Sequence, residues 1–256
     1  MSRKLRVFIN GFGRIGRTLT RQILCGHGGA RVEIAGINDI ASFDTCAYLL
    51  RYDSVYGNFP FPIEAQSNGL LIRGRLIPVT HAPDLRTLDL RDVDVVLDCT
   101  GKAGVRAFAE AGIAAGASKV LISGPSATAD QTIVIGANDQ DLRDARIVSN
   151  ASCTTNAIAP LLRILDLGLG IERAHVTTVH CYTGSQPTVD QPNGPPERSR
   201  AAAVSMVPTT TSAADQITRV LPEFAGRLTV SALRVPCLSV SAVDAVVQLA
   251  EDPEEP

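Results

Sequence analysis

The sequence predicts an α/β protein, and three observations carry that prediction. Short Val/Ile-rich runs alternate with Ala/Leu-rich helical patterns up to about residue 150, a G-x-G-x-x-G motif joins the first run to the first helical pattern, and the pattern changes at Cys153. Such alternation argues for a parallel sheet with crossover helices. At 256 residues, 45% of them hydrophobic, the chain is long enough for one large or two modest domains with real cores.

The first strand is expected at Leu5–Asn10 and the helix after it at 18–25, with further strands at Val32–Asn38, 93–99 and 119–123 and a helix at 103–115. Between them, 56–80 reads as short strands and turns, punctuated by glycine and proline, and is expected to be an antiparallel insertion decorating the domain. From Cys153 a helical stretch runs to about 167, interrupted by Pro160, which should kink or shorten it. A strand at 174–180 follows, then a Pro/Gly-rich loop at 184–196, a helix at 213–221, and strands at Leu228–Val235 and 240–249. The organisation is therefore a first domain at 1–152 and a second at 153–256, whose acidic, proline-bearing end at 251–256 is expected to be a disordered tail.

A formal net charge of -2 offers no basic field to phosphate backbones or anionic lipid, and no apolar run approaches a membrane-spanning length. Nucleic acid and membrane are therefore not expected partners. Only Val7-Phe8-Ile9 follows the basic N-terminus before Asn10, which is too short for a signal-peptide core. The six cysteines are scattered without C-x-x-C pairing, so they read as reduced thiols of a cytoplasmic protein. The four histidines show no ligand spacing with them, and no metal is expected.

Asn10 leads into Gly11-Phe12-Gly13-Arg14-Ile15-Gly16, placed directly after a strand and before a helical pattern, as a dinucleotide-binding turn requires. The glycines permit a tight turn and close approach of backbone to a pyrophosphate set against the positive end of the helix. The second strand closes on Asn38-Asp39, at the distance expected for an acidic ribose ligand. A carboxylate there accepts ribose hydroxyls and repels a 2′-phosphate, which selects NAD over NADP. Thr100-Gly101 and Ser123 end two further strands, where ligands sit on open parallel sheets, although both also suit ordinary turns.

Ala151-Ser152-Cys153-Thr154-Thr155-Asn156 opens the next helical pattern, with Ser152 or Thr154 able to cap it. A cysteine at a helix N-terminus is favoured as thiolate, and the nearby amides can hold an oxyanion, although a buried structural thiol has the same sequence signature. His180 ends a strand, in a position from which it can reach such a thiol or simply sit half exposed.

Taken together, the strings N-G-F-G-R-I-G, Y-D-S-V-Y-G from Tyr52, S-N-A-S-C-T-T-N from Ser149 and T-V-H-C-Y-T from Thr178 resemble the glyceraldehyde-3-phosphate dehydrogenases, in order over nearly the whole chain. The resemblance implies an NAD-binding Rossmann domain followed by a catalytic domain with a mainly antiparallel sheet. It implies Cys153 as nucleophile, His180 as base, and Ser152, Thr154, Thr183, Arg198, Thr211 and Arg234 as ligands of substrate and phosphate. The implied reaction is NAD-dependent oxidation of glyceraldehyde 3-phosphate to an acyl phosphate in glycolysis or gluconeogenesis; a paralogue acting on erythrose 4-phosphate, or a catalytically impaired NAD-binding remnant, are the alternatives.

The family's homotetramer is a further implication, but the loop at 184–196 on which it depends departs from the usual pattern. Ser185 stands where the family has an aspartate, Glu197 where it has the first arginine of a pair, and Ser212 where it has a glycine. Family members also continue beyond the point where this sequence stops, so the catalytic domain is expected to be incomplete, with an exposed sheet edge and apolar surface.

Overall fold

The computed structural model describes residues 3–27 and 31–251. They form two compact units, the first made of residues up to 132 with 142–150, the second of 133–141 with everything from 151 onward. The segment 133–141 thus belongs with the second unit although it precedes Cys153 in the chain. The acidic end, apart from Glu251, lies outside the described residues.

In chain order the first unit contains β1 (Leu5–Asn10), α1 (Arg14–Leu24), β2 (Val32–Asn38), α2 (Phe43–Arg51), β3 (Tyr52–Asp53), β4 (Gly57–Asn58), β5 (Ile63–Gln66), β6 (Gly69–Ile72) and β7 (Arg75–Thr80). β8 (Val95–Asp98), α3 (Arg106–Ala114), β9 (Lys119–Ile122), β10 (Gln131–Thr132) and β11 (Ile147–Ser149) complete it. Nine of these strands form one sheet in the order β10-β11-β9-β8-β1-β2-β7-β6-β5. β1 lies at its centre, parallel to β2 on one side and β8 on the other. Its run Val7-Phe8-Ile9 is buried on both faces, as a central parallel strand requires. Val7 and Ile9 join a core with Ile34, Ile37 and Leu50, while Phe8 joins Val96, Val120 and Ala109 on the other face.

The expected insertion at 56–80 is antiparallel through β5, β6 and β7. It is not a detached ornament, because β7 pairs parallel with β2 and so continues the main sheet. Helix α2 was not foreseen. It is capped by Ser42, whose hydroxyl accepts the Thr45 N–H, and it buries Cys46 and Leu50.

The second unit contains α4 (Cys153–Leu169), β12 (Ile171–Cys181), β13 (Val207–Thr209), α5 (Ala213–Val220), β14 (Leu228–Val235) and β15 (Ser241–Leu249). Its sheet runs β13-β14-β12-β15. The β12–β14 pairing is parallel and the other two are antiparallel. Ile158 and Leu162 from α4 pack with Val176 of β12, Ile217 of α5 and Phe224, all fully or nearly fully buried.

Pro160 does not shorten α4, which continues to Leu169. A proline removes one backbone donor, but burial of Ile158, Ala159 and Leu162 along the same face offsets that loss. β15 is an edge strand, with Val243 36% and Val246 69% exposed. Among the described residues no helix is long and apolar enough to cross a membrane.

Candidate active site

In the first unit, the turn after β1 is built on glycine where the backbone demands it. Gly11 has φ +90, and a Cβ there would meet the Thr100 backbone nitrogen at 2.8 Å. A Cβ on Gly16 would come within 2.1 Å of the Gly11 carbonyl oxygen, so the first turn of α1 packs directly on the loop. At Gly13, by contrast, a Cβ meets nothing within 4 Å. That glycine is unconstrained by the fold and leaves room beside the start of α1.

Asp39 ties the turn to the end of β2. One carboxylate oxygen accepts the Phe12 N–H at 2.6 Å and the other the Ala41 N–H at 2.8 Å. Beneath lies a buried polar chain: the Asn38 amide donates to Asn10, whose own amide donates to Asp98, and Asp98 also accepts from the backbone and hydroxyl of Thr100. It crosses β2, β1 and β8 at their C-terminal ends, where open parallel sheets bind ligands.

A cavity of about 400 Å³ opens there, lined by Gly11, Gly13, Asn38, Asp39 and Thr100 of the expected residues. Phe12 turns into the core at 3% exposure. Arg14, Ile15, Gly16, Gly101 and Ser123 do not line the cavity; Gly101 takes φ +73 in the turn after β8, and the Ser123 N–H donates to the Asp98 carbonyl. Sequence reasoning missed the apolar walls, Ile40, Pro83 and Phe108. Nothing in the sequence marks them; in the structure Ile40, directly after Asp39, is 81% exposed and Phe108 46%. The glycine cradle, the open start of α1 and the acidic strand end fit a dinucleotide.

In the second unit, Ala151 is buried and takes φ +55, a left-handed conformation that costs about 1–2 kcal/mol and turns the chain into α4. Ser152 is the N-cap, with its hydroxyl accepting the Thr155 N–H at 3.1 Å. Cys153 is consequently the first helical residue, with an exposed side chain. Its Sγ lies 3.1 Å from Nε2 of His180, which projects from the end of β12. Burial, foremost, holds this imidazole below the usual histidine range; the Cys181 carbonyl opposes that effect and the Arg234 guanidinium adds to it. A thiol at a helix N-terminus beside a neutral imidazole is equipped for nucleophilic attack and for moving a proton.

Arg234 extends from β14 to His180, with Nη1 2.7 Å from Nδ1 and 2.7 Å from the Cys181 carbonyl oxygen. Burial, and secondarily the nearby Arg198 charge, lowers its proton affinity, yet an arginine stays charged. Arg198 donates to the hydroxyls of Thr209 and Thr210, each at 2.9 Å. The two arginines line one small recess together with Ser185, Gln186 and Thr209. Neither makes an ion pair among the described residues. Two partly buried cations without a carboxylate partner make a place for an anion. Ser185, which also lines the recess, brings no charge to offset them.

The other expected ligands are placed less directly. The Thr183 hydroxyl meets that of Ser185 at 2.9 Å, and the Thr211 hydroxyl accepts the Ala213 N–H at 3.1 Å at the start of α5. Thr154 is buried on the inner side of α4. Among the described residues no cluster of His, Cys, Asp or Glu could hold a metal ion.

Two family models match the chain: glyceraldehyde 3-phosphate dehydrogenase, NAD binding domain, over residues 5–105, and glyceraldehyde 3-phosphate dehydrogenase, C-terminal domain, over 152–255. Among curated proteins, a glyceraldehyde-3-phosphate dehydrogenase of Pseudomonas aeruginosa is 44% identical over 251 residues, covering 97% of this chain and 75% of that protein. One from Xanthobacter flavus is 43% identical, covering 94% and 72%, and glyceraldehyde-3-phosphate dehydrogenase 2 of Bacillus subtilis is 40% identical, covering 97% and 74%.

Proposed function

This chain belongs to the glyceraldehyde-3-phosphate dehydrogenase family, and from that premise we propose that it oxidises glyceraldehyde 3-phosphate to an acyl phosphate, using NAD and inorganic phosphate. The observation that carries the reading is the 3.1 Å approach of Cys153 Sγ to His180 Nε2 at the N-terminus of α4. The erythrose 4-phosphate alternative is not favoured, since the matched relatives carry the glyceraldehyde-3-phosphate name.

The geometry supports the following residue roles. The Cys153 thiolate forms a bond to the aldehyde carbon, and the carbonyl pair moves to oxygen, giving a thiohemiacetal after protonation. Backbone N–H groups at the start of α4 favour that oxygen's negative charge. His180 then takes the hydroxyl proton. NAD, when bound, supplies the acceptor for the hydride whose loss leaves a thioester on Cys153. A phosphate oxygen attacks the thioester carbonyl, the C–S bond breaks, and the thiolate leaves.

Arg198 and Arg234 hold phosphate oxygens, with Ser152, Thr183 and Thr211 contributing hydroxyls, while the buried Thr154 supports α4 from within. Gly11, Gly13, Asn38, Asp39 and Thr100, which line the cavity, form the cofactor side, with Asp39 selecting NAD. The substrate side begins at Ala151, two residues earlier than the expected division at 152/153, and includes 133–141; the protein is a cytoplasmic homo-oligomer.

The test is the rise of NADH absorbance with purified protein. Turnover should require the phosphorylated aldehyde, NAD and inorganic phosphate together, and vanish in Cys153→Ser. A folded chain that binds NAD but turns over none of this mixture rejects the proposal.

A further inference from the structure

Four charged side chains line the cavity at the ends of β2, β1 and β8: Asp39, Asp84, Arg86 and Lys102. Three of them are already engaged. Both oxygens of Asp39 accept backbone N–H groups, from Phe12 and Ala41. Arg86 is held by Asp84, its Nε donating to both carboxylate oxygens and its Nη2 to one of them at 2.7 Å. Lys102, by contrast, makes no ion pair among the described residues, so its charge is the one of the four left uncompensated there.

Local bonding fixes where the Lys102 side chain begins. The Thr100 hydroxyl accepts the Lys102 N–H at 3.1 Å and donates to Asp98, at the end of the buried polar chain. Thr100 in turn lies against the first glycine of the dinucleotide turn, since a Cβ on Gly11 would meet its backbone nitrogen at 2.8 Å. The strand order β8-β1-β2 sets that turn between Asp39 on one side and Thr100 to Lys102 on the other. Lys102 therefore borders the stretch where a pyrophosphate passes, across the turn from the acidic strand end that takes the ribose. Gly13 is the N-cap of α1 and makes no side-chain cap bond, so the first amides of the helix stay open to an anion.

We propose that Lys102 is a further cofactor-binding residue, whose ammonium pairs with the pyrophosphate of NAD from the β8 side of the turn. The inference deepens the reading of this cavity as the cofactor site and rests on it. Each phosphate of the pyrophosphate carries a negative charge, and the helix terminus answers them with only roughly half a unit charge. A lysine at the edge supplies what is missing. Its four-carbon stem lets the ammonium follow the phosphate oxygens without a fixed geometry. Because Lys102 is exposed, the pair is screened by salt and its contribution is modest.

The test is calorimetric titration of the full chain with NAD and, separately, with adenosine, which lacks the pyrophosphate. At low ionic strength Lys102→Met should bind NAD about fivefold more weakly than wild type, bind adenosine equally well, and lose the difference as salt rises. Lys102→Arg should keep the wild-type affinity. Unchanged NAD affinity in Lys102→Met overturns the inference, and so does an equal loss for adenosine, which would make the side chain a wall of the cavity and not a counter-ion. If the methionine variant fails to fold, the wild type still decides, because an NAD affinity that does not fall with salt leaves no ion pair to assign. The wider reading is tested apart from this one. Wild-type protein that binds no NAD rejects the cofactor site itself, whereas full NAD affinity in Lys102→Met rejects Lys102 alone.

Discussion

The backbone N–H of Thr155 donates to the hydroxyl of Ser152 over 3.1 Å, and this one bond fixes where α4 begins. Because Ser152 is the cap, Cys153 takes the first helical position, where the unpaired amides and the helix dipole are strongest. Ser152→Ala should cost about 1 kcal/mol of stability, read as a shift in the urea midpoint at unchanged slope. It should also slow iodoacetamide alkylation of Cys153. An alkylation rate equal to wild type would separate the cap from the reactivity of the thiol.

His180→Asn keeps a polar group at the end of β12 but removes the proton carrier 3.1 Å from the sulfur. The expected loss in kcat is about 10²- to 10⁴-fold, with the apparent KM for aldehyde changed far less. Steady-state NADH formation measures both. A loss confined to KM would reassign the residue to binding.

The glycines of the first turn should separate by function. Gly16→Ala places a Cβ 2.1 Å from the Gly11 oxygen, so the loop must shift and the protein without NAD should itself melt lower. Gly13→Ala meets nothing within 4 Å and should leave the melting point of the free protein within the effect of about 0.5 kcal/mol. It should nevertheless weaken NAD at least about tenfold, equivalent to roughly 1.4 kcal/mol, because the methyl occupies ligand space. Calorimetric titration of both variants with NAD is the measurement, and full affinity in Gly13→Ala would show that the cofactor does not approach that position.

Stability should fall at both ends of the pH range. The folded His180 binds its proton less readily than the free side chain, whose ordinary value is 6.5. Its contribution is complete above that value and is lost as pH falls through the window beneath it, because there the unfolded chain binds more protons. At the alkaline end, burial pushes Cys46 and Cys99 from 9.0 to about 11. Unfolded thiols ionise first, so stability should decline as pH rises from 9 to 11. Urea midpoints across pH 5 to 11 measure both limbs, and Cys46→Ala should flatten the alkaline one.

Local features were legible in the sequence and pairings were not. Gly11, Gly13 and Asp39 announce a cofactor turn because strand, turn and helix are contiguous, and the S-N-A-S-C-T-T-N string marks Cys153 in the same way. The contact of His180 with Cys153 depends on β12 being laid beside the start of α4, and Arg234 reaches His180 only because the β12–β14 register pairs them. No spacing in the chain encodes that register. Helix α2 was missed because only Ser42 signals its start and its nine residues bury just Cys46 and Leu50. Pro160 misled for the opposite reason: a strong local breaker was outweighed by the buried face of α4.

The excursion at 133–141 gives the chain an unusual topology. Between residues 132 and 151 it leaves the first unit, returns and leaves again, so the polypeptide changes unit three times. Val134 and Ala137, at 0% and 2% exposure, are core residues of the second unit contributed from outside its main stretch. A gene split at the apparent boundary before Cys153 would therefore yield a carboxy-terminal fragment with a hole in its interior. The halves are not exchangeable cassettes, and swapping one between homologues requires grafting this nine-residue stitch along with the partner it fills.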